Sequence, residues 1–592
     1  MKQFLITIAG VFSALLLFFV GLPLLFIAVV ASAAKPTPPP AHAVLSLDLR
    51  EKLPDQSGSS PFAFLGARPM SVMSVVETLG RAARDPAVGG LLIRLPEGGL
   101  PPAQADEIRI GLKAFRASGK PVIAHSQGIY PSGIATSTYM LGAASGDFWM
   151  QPESALQSTG VTSEDTFYKR FFDKYGIKAD FQQRYEYKNA VNPYLQSDYT
   201  PAHKEAELGW MTSVYQTELA QAAPDRQMTV PTLQAVLEAG PYSAEDAMAK
   251  HLIDHVGQLE AAQDQLLGKA GADAKLVSFD QYRNTSRTAP VGASSIAFIG
   301  GEGDITTGTA GNQRFGAASA IYSDDVAKAF YDAIHDDQIK AIVFRVSSPG
   351  GSDTASEQIL AAVRAAVAAK KPVVVSMGTY AASGGYWISS QASEIVAEPS
   401  TLTGSIGVFG GKLVLGPALA RFGIDLHDLT VGGDFASAYG SAQEFTPKQT
   451  AAISSWMDHI YANFVGRVAS GRHLSVDRVR EIAKGRVWTG ADALKLGLVD
   501  KLGGLNLAVS EAKRLGGIPA DEAVTLKMLP SKASPLTAVQ HMLGLSASSV
   551  KTLAAVSWIV TDPRAQGLLS QVARTQAQAN GGGTVLASGQ LP

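Results

Sequence analysis

The chain has 592 residues, 46% of them hydrophobic, and carries 50 Lys and Arg against 52 Asp and Glu, a formal net charge of −2. This composition excludes wholesale disorder and leaves room for about two to four domains, and the near-neutral balance argues against nucleic acid as the main partner. There is no cysteine, which rules out disulfide scaffolds, cysteine-ligated metals and a thiol nucleophile.

After Lys2 no charged residue appears before Lys35, and Phe4–Val30 is almost entirely apolar. At about 1.5 Å per residue the run exceeds a bilayer core of roughly 30 Å, and it is longer than the usual signal-peptide core of about 7–15 residues. Residues 1–34 are therefore expected to be a single-pass anchor, the competing reading being a leader cleaved at Ala31-Ser32-Ala33. A large body following a signal-like segment is expected on the extracytoplasmic side. Residues 35–42, with Pro36-Thr37-Pro38-Pro39-Pro40, read as a stiff extended spacer.

The body then repeats itself. Ile93-Arg94-Leu95-Pro96-Glu97-Gly98-Gly99 returns as Phe344-Arg345-Val346-Ser347-Ser348-Pro349-Gly350-Gly351, and Lys120-Pro121-Val122-Ile123 returns as Lys371-Pro372-Val373-Val374. Pro152 to Gly160-Val161 matches Pro399 to Gly407-Val408, and Tyr175-Gly176-Ile177 matches Phe422-Gly423-Ile424. Tyr242 to Asp254 matches Trp488 to Asp500. The order is kept throughout, at offsets between 246 and 251 residues. Two copies of one domain are expected, at 43–285 and 293–528, with a less informative extension over 529–592.

Within each copy, short apolar strands alternate with amphipathic stretches. Ala341–Val346 reads as a buried strand ending in a glycine turn, Ser356–Ala369 as a helix and Val373–Ser376 as the next strand. Ser243-x-x-Asp246 and Thr489-x-x-Asp492 read as capped helix starts. The alternation predicts an α/β fold with parallel strands and right-handed crossovers.

Three segments carry candidate chemistry. In Tyr380-Ala381-Ala382-Ser383-Gly384-Gly385-Tyr386-Trp387 a serine stands between a strand and a helix among small residues, so substrate backbone can approach it and the Gly384 N–H can face an oxyanion. A lipase-type elbow would have glycine at Ala381, which speaks against an α/β-hydrolase. Ser347–Ser352 offers backbone N–H groups at Gly350 and Gly351 as further donors. Leu402–Val408 is a short polar turn whose Ser405 can orient a base.

A serine nucleophile needs a base, and two sources are open: a distant histidine (His427, His459, His473 or His541) or a lysine kept neutral by burial. The lysine candidate is Lys188, in Arg184-Tyr185-Glu186-Tyr187-Lys188-Asn189-Ala190-Val191, although composition alone favours a snorkelling, solvated lysine there. Counted along the repeat, Lys188 falls opposite Phe435, so the second copy lacks it. Opposite Ser383 the first copy has Ser132-Gly133 or Thr136, depending on where the count starts, and it lacks Ala-Ser-Gly-Gly. The copies look complementary, which predicts a site between them.

The segments Ser348–Ser352, Ala381–Tyr386 and Leu402–Gly407, together with Tyr187–Val191 and Val487–Gly490, resemble the bacterial signal peptide peptidase A family in its long, tandem-repeat form. The resemblance runs in order from the N-terminal apolar run to about residue 528. It implies two tandem Clp-protease/crotonase-like domains of ββα units behind a transmembrane helix. It implies Ser383 as nucleophile, Lys188 as general base, Ser405 as the residue holding the lysine, and Gly384 with Gly350 and Gly351 as the oxyanion hole. No metal or cofactor is implied. The expected activity is a membrane-anchored serine endopeptidase that degrades remnant signal peptides, with other membrane-protein or lipoprotein fragments as the alternative substrate. The expected setting is the bacterial cytoplasmic membrane, with the body on the periplasmic side, as a homotetramer that binds hydrophobic peptides and no nucleic acid. The first copy's Ser132 or Thr136 is expected to be vestigial.

Overall fold

The computed structural model describes residues 42–56, 69–285, 294–310 and 319–530. The apolar run, nearly all of the spacer, the inter-copy stretch from 286 to 293 and the extension beyond 530 lie outside the described residues. Among the described residues no helix is long and apolar enough to cross a membrane.

The first copy contains β1 (Ala43–Asp48), α1 (Val72–Arg84), β2 (Val88–Arg94), α2 (Pro102–Ala117), β3 (Val122–Ser126), α3 (Ala135–Ala143) and β4 (Phe148–Met150). They are followed by β5 (Lys178–Arg184), α4 (Pro201–Asp225), β6 (His255–Val256) and β7 (Lys275–Ser278). Its sheet has the order β6-β4-β3-β2-β1-β7, and every pairing is parallel.

The second copy contains β8 (Ser295–Glu302), β9 (Asp304–Thr306), β10 (Ile339–Ser348), α5 (Asp353–Ala368), β11 (Val373–Ala382), α6 (Gly384–Ser389) and β12 (Glu394–Ala397). After these come β13 (Leu402–Gly404), β14 (Val408–Val414), α7 (Pro447–Arg472), β15 (Val487–Thr489), β16 (Lys501–Leu502), α8 (Leu505–Leu515) and β17 (Thr525–Leu529). The path β16-β12-β11-β10-β8-β17 repeats the first sheet's order, with β13 and β15 added beside the end of β11. Parallel strands need crossovers, and the helices that supply them cover both faces. The central strands therefore read as continuous apolar runs: nearly all of β10 and most of β11 are buried.

The expected elements are present with longer strands. The strand expected over Ala341–Val346 runs from Ile339 to Ser348, and the one expected over Val373–Ser376 continues to Ala382, directly before Ser383. The C-terminal ends could not be placed from apolar character, because Ser347, Ser348, Gly378, Thr379, Ala381 and Ala382 are small or polar and the strands are extended through backbone pairing with their neighbours. Both capped starts are seen: Ser243 accepts from the Asp246 N–H at 3.0 Å and Thr489 from the Asp492 N–H at 3.2 Å.

Among the contacts that join the copies are a strand pairing and a buried ion cluster. Strand β5 of the first copy pairs antiparallel with β14 of the second, in register from Lys178↔Val414 to Arg184↔Val408. Elsewhere, Arg345 of β10 is buried (1% exposed) and reaches into the first copy. It donates to Asp55 through two nitrogens at 3.0 and 2.5 Å, to Glu107 of α2 at 3.0 Å and to Ser376 Oγ at 2.9 Å. Glu107 also accepts from the Leu505 N–H at 2.7 Å. Such a network contributes little as an average ion pair, but removing the cation strands two buried carboxylates. Arg345→Leu is expected to cost about 3–5 kcal/mol of stability, read as a clear fall in the thermal unfolding midpoint. An unchanged midpoint would show that the network does not hold the copies together.

Candidate active site

Ser383 occupies the turn between β11 and α6. Its backbone sits at φ 54°, ψ −119°, a region that costs a non-glycine residue about 1–3 kcal/mol and persists only where the surroundings enforce it. Here the enforcement is visible. The Ser383 N–H donates to the Gly404 carbonyl at 2.9 Å and its carbonyl accepts from the Trp387 N–H at 2.9 Å, so the turn is tied to β13 on one side and α6 on the other. Ser383 is the residue ahead of α6, yet its hydroxyl makes no cap bond. The side chain faces Lys188 instead.

Lys188 follows β5 and is 2% exposed, so the solvated lysine that composition favours is not what the fold makes of it. The β5–β14 ladder carries the Tyr185–Lys188 turn beneath the Ser405 turn, where composition gives no hint that water is excluded. Its Nζ lies 3.1 Å from Ser383 Oγ, 2.9 Å from Ser405 Oγ and 3.0 Å from the Ser405 carbonyl oxygen. No carboxylate is among these partners. Burial alone pushes the amine down to about 7. At the other end of the turn, Arg184 is fixed to α7 by Asp458 Oδ1 at 2.5 Å and the Ser454 carbonyl at 3.1 Å.

The glycines behave differently from one another. The Gly350 N–H donates to Ser348 Oγ at 3.1 Å. Gly351 forms a bridge with Ile305 of β9 in which the Ile305 N–H donates to the Gly350 carbonyl (2.8 Å) and the Ser352 N–H to the Ile305 carbonyl (2.9 Å). The Gly351 N–H is thereby directed to the opposite side, beside Gly384. A side chain at Gly384 would start 3.1 Å from the Gly351 nitrogen, and one at Gly351 would start 2.1 Å from the Ile305 oxygen. Both positions exclude a Cβ, so the backbones of Gly351 and Gly384 pack closely beside Ser383.

The other candidates fall away from this centre. His427, His459 and His473 are exposed, and none is bonded to Ser383; His541 lies outside the described residues. In the first copy, Ile134 stands ahead of α3 where Ser383 stands ahead of α6, so that position carries no hydroxyl. Ser132 is exposed, and Thr136 is buried within α3 with no partner for its Oγ1 among the described residues. Phe435, opposite Lys188 in the repeat, lies in the short helical turn Asp434–Ser437 and is half exposed. Sequence reasoning passed over one segment that touches the site, Lys484-Gly485-Arg486. Its signal was a lone glycine immediately ahead of the Val487–Gly490 block.

The sequence profile of peptidase family S49 matches residues 114–273 and 365–518, one stretch in each copy. Protease 4 of Salmonella typhi is 33% identical over 460 residues, spanning 75% of this chain and 72% of that protein. The chloroplastic serine protease SPPA of Arabidopsis thaliana is 28% identical over 541 residues, 90% of this chain and 76% of that one. A protein of Enterococcus faecium described as a putative signal peptide peptidase SppA is 31% identical over 180 residues, 30% of this chain and 52% of its own. With a serine turn and a buried lysine already side by side in the fold, these likenesses have a direct reading: the chain belongs to peptidase family S49 and is a serine protease.

Proposed function

We propose that the protein is a Ser–Lys endopeptidase that cuts remnant signal peptides and similar apolar segments at the membrane, with Ser383 as nucleophile and Lys188 as general base. The observation that carries this reading is the Lys188 Nζ at 3.1 Å from Ser383 Oγ, buried and without a carboxylate partner. A neutral amine has two N–H donors and one lone pair. The two Ser405 oxygens accept the donors, which leaves the lone pair for the Ser383 hydroxyl. Ser405 thus orients the base.

As Ser383 Oγ attacks the scissile carbonyl, its proton passes to Lys188. The tetrahedral oxyanion is held by the N–H groups of Gly384 and Gly351, with Gly350 shaping the turn through Ser348. The lysinium then gives its proton to the leaving amine, and water activated by the same amine hydrolyses the acyl-enzyme. The domains run over 43–285 and 293–528, the first supplying the base and the second the nucleophile. The apolar run Phe4–Val30 anchors the chain in the bacterial cytoplasmic membrane, with the body outside the cytoplasm. Apolar signal-peptide remnants as substrate follow the description of the Enterococcus faecium relative. A homotetramer is in keeping with the exposed Phe422, Leu429 and Val431, apolar side chains that a partner copy would cover.

Two outcomes test the dyad. In the full chain in detergent, with a synthetic apolar signal peptide as substrate and fragments read by mass spectrometry, Ser383→Ala and Lys188→Ala each lower cleavage by about 10³-fold or more. Because the active form carries the neutral amine, kcat/KM of the parent rises with pH through about 7. Cleavage that survives Lys188→Ala would move the base elsewhere.

The same burial has a cost in stability. The unfolded chain binds a proton at Lys188 up to the ordinary lysine value of 10.5, whereas the folded chain releases it above about 7. The penalty is therefore full below about 7 and fades as pH rises toward 10.5. Lys188→Met is expected to unfold at a higher temperature than the parent at pH 6, with the gap narrowing by pH 10. A gap that is absent or grows with pH would mean that the lysine is not buried uncharged.

A further inference from the structure

The loop that bears Lys188 is bonded through its backbone across the repeat boundary. The Lys484 carbonyl accepts from two of its amides, Tyr185 N–H at 3.3 Å and Tyr187 N–H at 3.1 Å. The next two residues turn to the other side of the site. The Gly485 N–H donates to the Ile406 carbonyl at 2.8 Å, and the Arg486 carbonyl accepts from the Ser405 N–H at 2.7 Å. The 484–485 peptide thus holds the lysine loop through its carbonyl and the Ser405 turn through its N–H, and the Arg486 carbonyl adds a second bond to that turn.

The passage has no spare room. Lys484 and Gly485 both have positive φ, 56° and 86°. A Cβ at Gly485 would lie 2.6 Å from the nitrogen and Cβ of Lys188 and 2.7 Å from its Cα. Side chains fasten the outer surface: Lys484 Nζ meets Glu186 at 2.9 Å, Arg486 Nη1 meets Glu205 at 2.5 Å, and the Arg486 guanidinium lies 5.0 Å over the Tyr187 ring. Tyr187 Oη also donates to Glu205 at 2.9 Å. These four charges are paired with one another on the solvent side, and Lys188 bonds to none of them.

We propose that Lys484-Gly485-Arg486 is a positioning strap that sets the Lys188 amine against Ser383 and keeps water from it. The inference rests on Lys188 being the base. The strap touches neither reacting atom; it acts through the Lys188 backbone and through the Ser405 turn that receives the amine's donors. Loosening it has two consequences together. The amine loses its approach to Ser383, and it gains water, which moves its protonation back toward that of an ordinary lysine.

The test is the pH dependence of kcat and KM for the full chain in detergent, per folded molecule counted from the amplitude of its thermal unfolding transition. A displacement of about 1 Å in a reacting group costs on the order of 10²-fold. Gly485→Ala is accordingly expected to lower kcat by about 10²-fold and to shift the acid limb upward, with KM within about threefold of the parent's. A variant damaged only in folding would show a smaller unfolding amplitude but a parental limb. Should Gly485→Ala not fold, Arg486→Gln carries the test. It frees Glu205 and Tyr187 while leaving the strap backbone intact, and it is expected to lower kcat by several-fold with the limb moved in the same direction; Arg486→Lys recovers part of this. Parental kcat and acid limb in the folded variants would overturn the strap. Lys188→Ala, run alongside, separates the two claims. If it keeps cleavage, the base assignment falls. If it loses cleavage while the strap variants match the parent, the strap alone falls.

Discussion

The structure turns on one constraint: an amine must be kept dry without a carboxylate nearby. A lysine beside an acid stays charged, and a charged lysine cannot accept a proton from serine. Lys188 is surrounded by hydroxyls and a carbonyl, partners that orient an amine without favouring its ammonium form. Burial supplies the whole of the shift to about 7. Everything that packs over Lys188 therefore bears on its basicity as well as on stability.

That constraint explains why the two copies need each other. The lysine turn follows β5, which pairs with β14 of the other copy, so the ladder that buries the amine exists only when the copies are joined. The serine turn depends on close approach of a different kind, where Gly350, Gly351, Gly384 and Gly385 let α6 settle on the end of β10; a Cβ at Gly385 would lie 2.7 Å from the Ser348 carbonyl. The two sheets share one strand order, but the copies differ at the site. One has Ile134 where the other has Ser383, and one has Phe435 where the other has Lys188. The buried Arg345, held by Asp55 and Glu107, adds a second, charged seam between them.

Much of this was legible before any coordinates. The duplication was readable because parallel strands buried on both faces leave runs of β-branched residues between glycine turns, and those turns recur in order. The serine turn was readable because only small residues fit there. The proposed base was harder. Lys188 lies among tyrosines and charged residues that read as an exposed stretch, and what buries it comes from some 217 residues further along the chain. Which glycine N–H stays free was not readable either: Gly350 and Gly351 are chemically alike, and the bridge from Ile305 distinguishes them. Residues 484–486 offer only a lone glycine between two ordinary surface cations as a signal; their meaning lies in the two loops they touch.

The most direct measurement is the rate at which a fluorophosphonate labels Ser383, followed by peptide mass spectrometry from pH 5 to pH 9 in the parent and in Lys188→Met. It reads nucleophile activation without any assumption about substrate. Labelling at Ser383 is expected to rise in rate through about pH 7 in the parent and to collapse in Lys188→Met. Labelling of equal rate and equal pH dependence in the two proteins would contradict it.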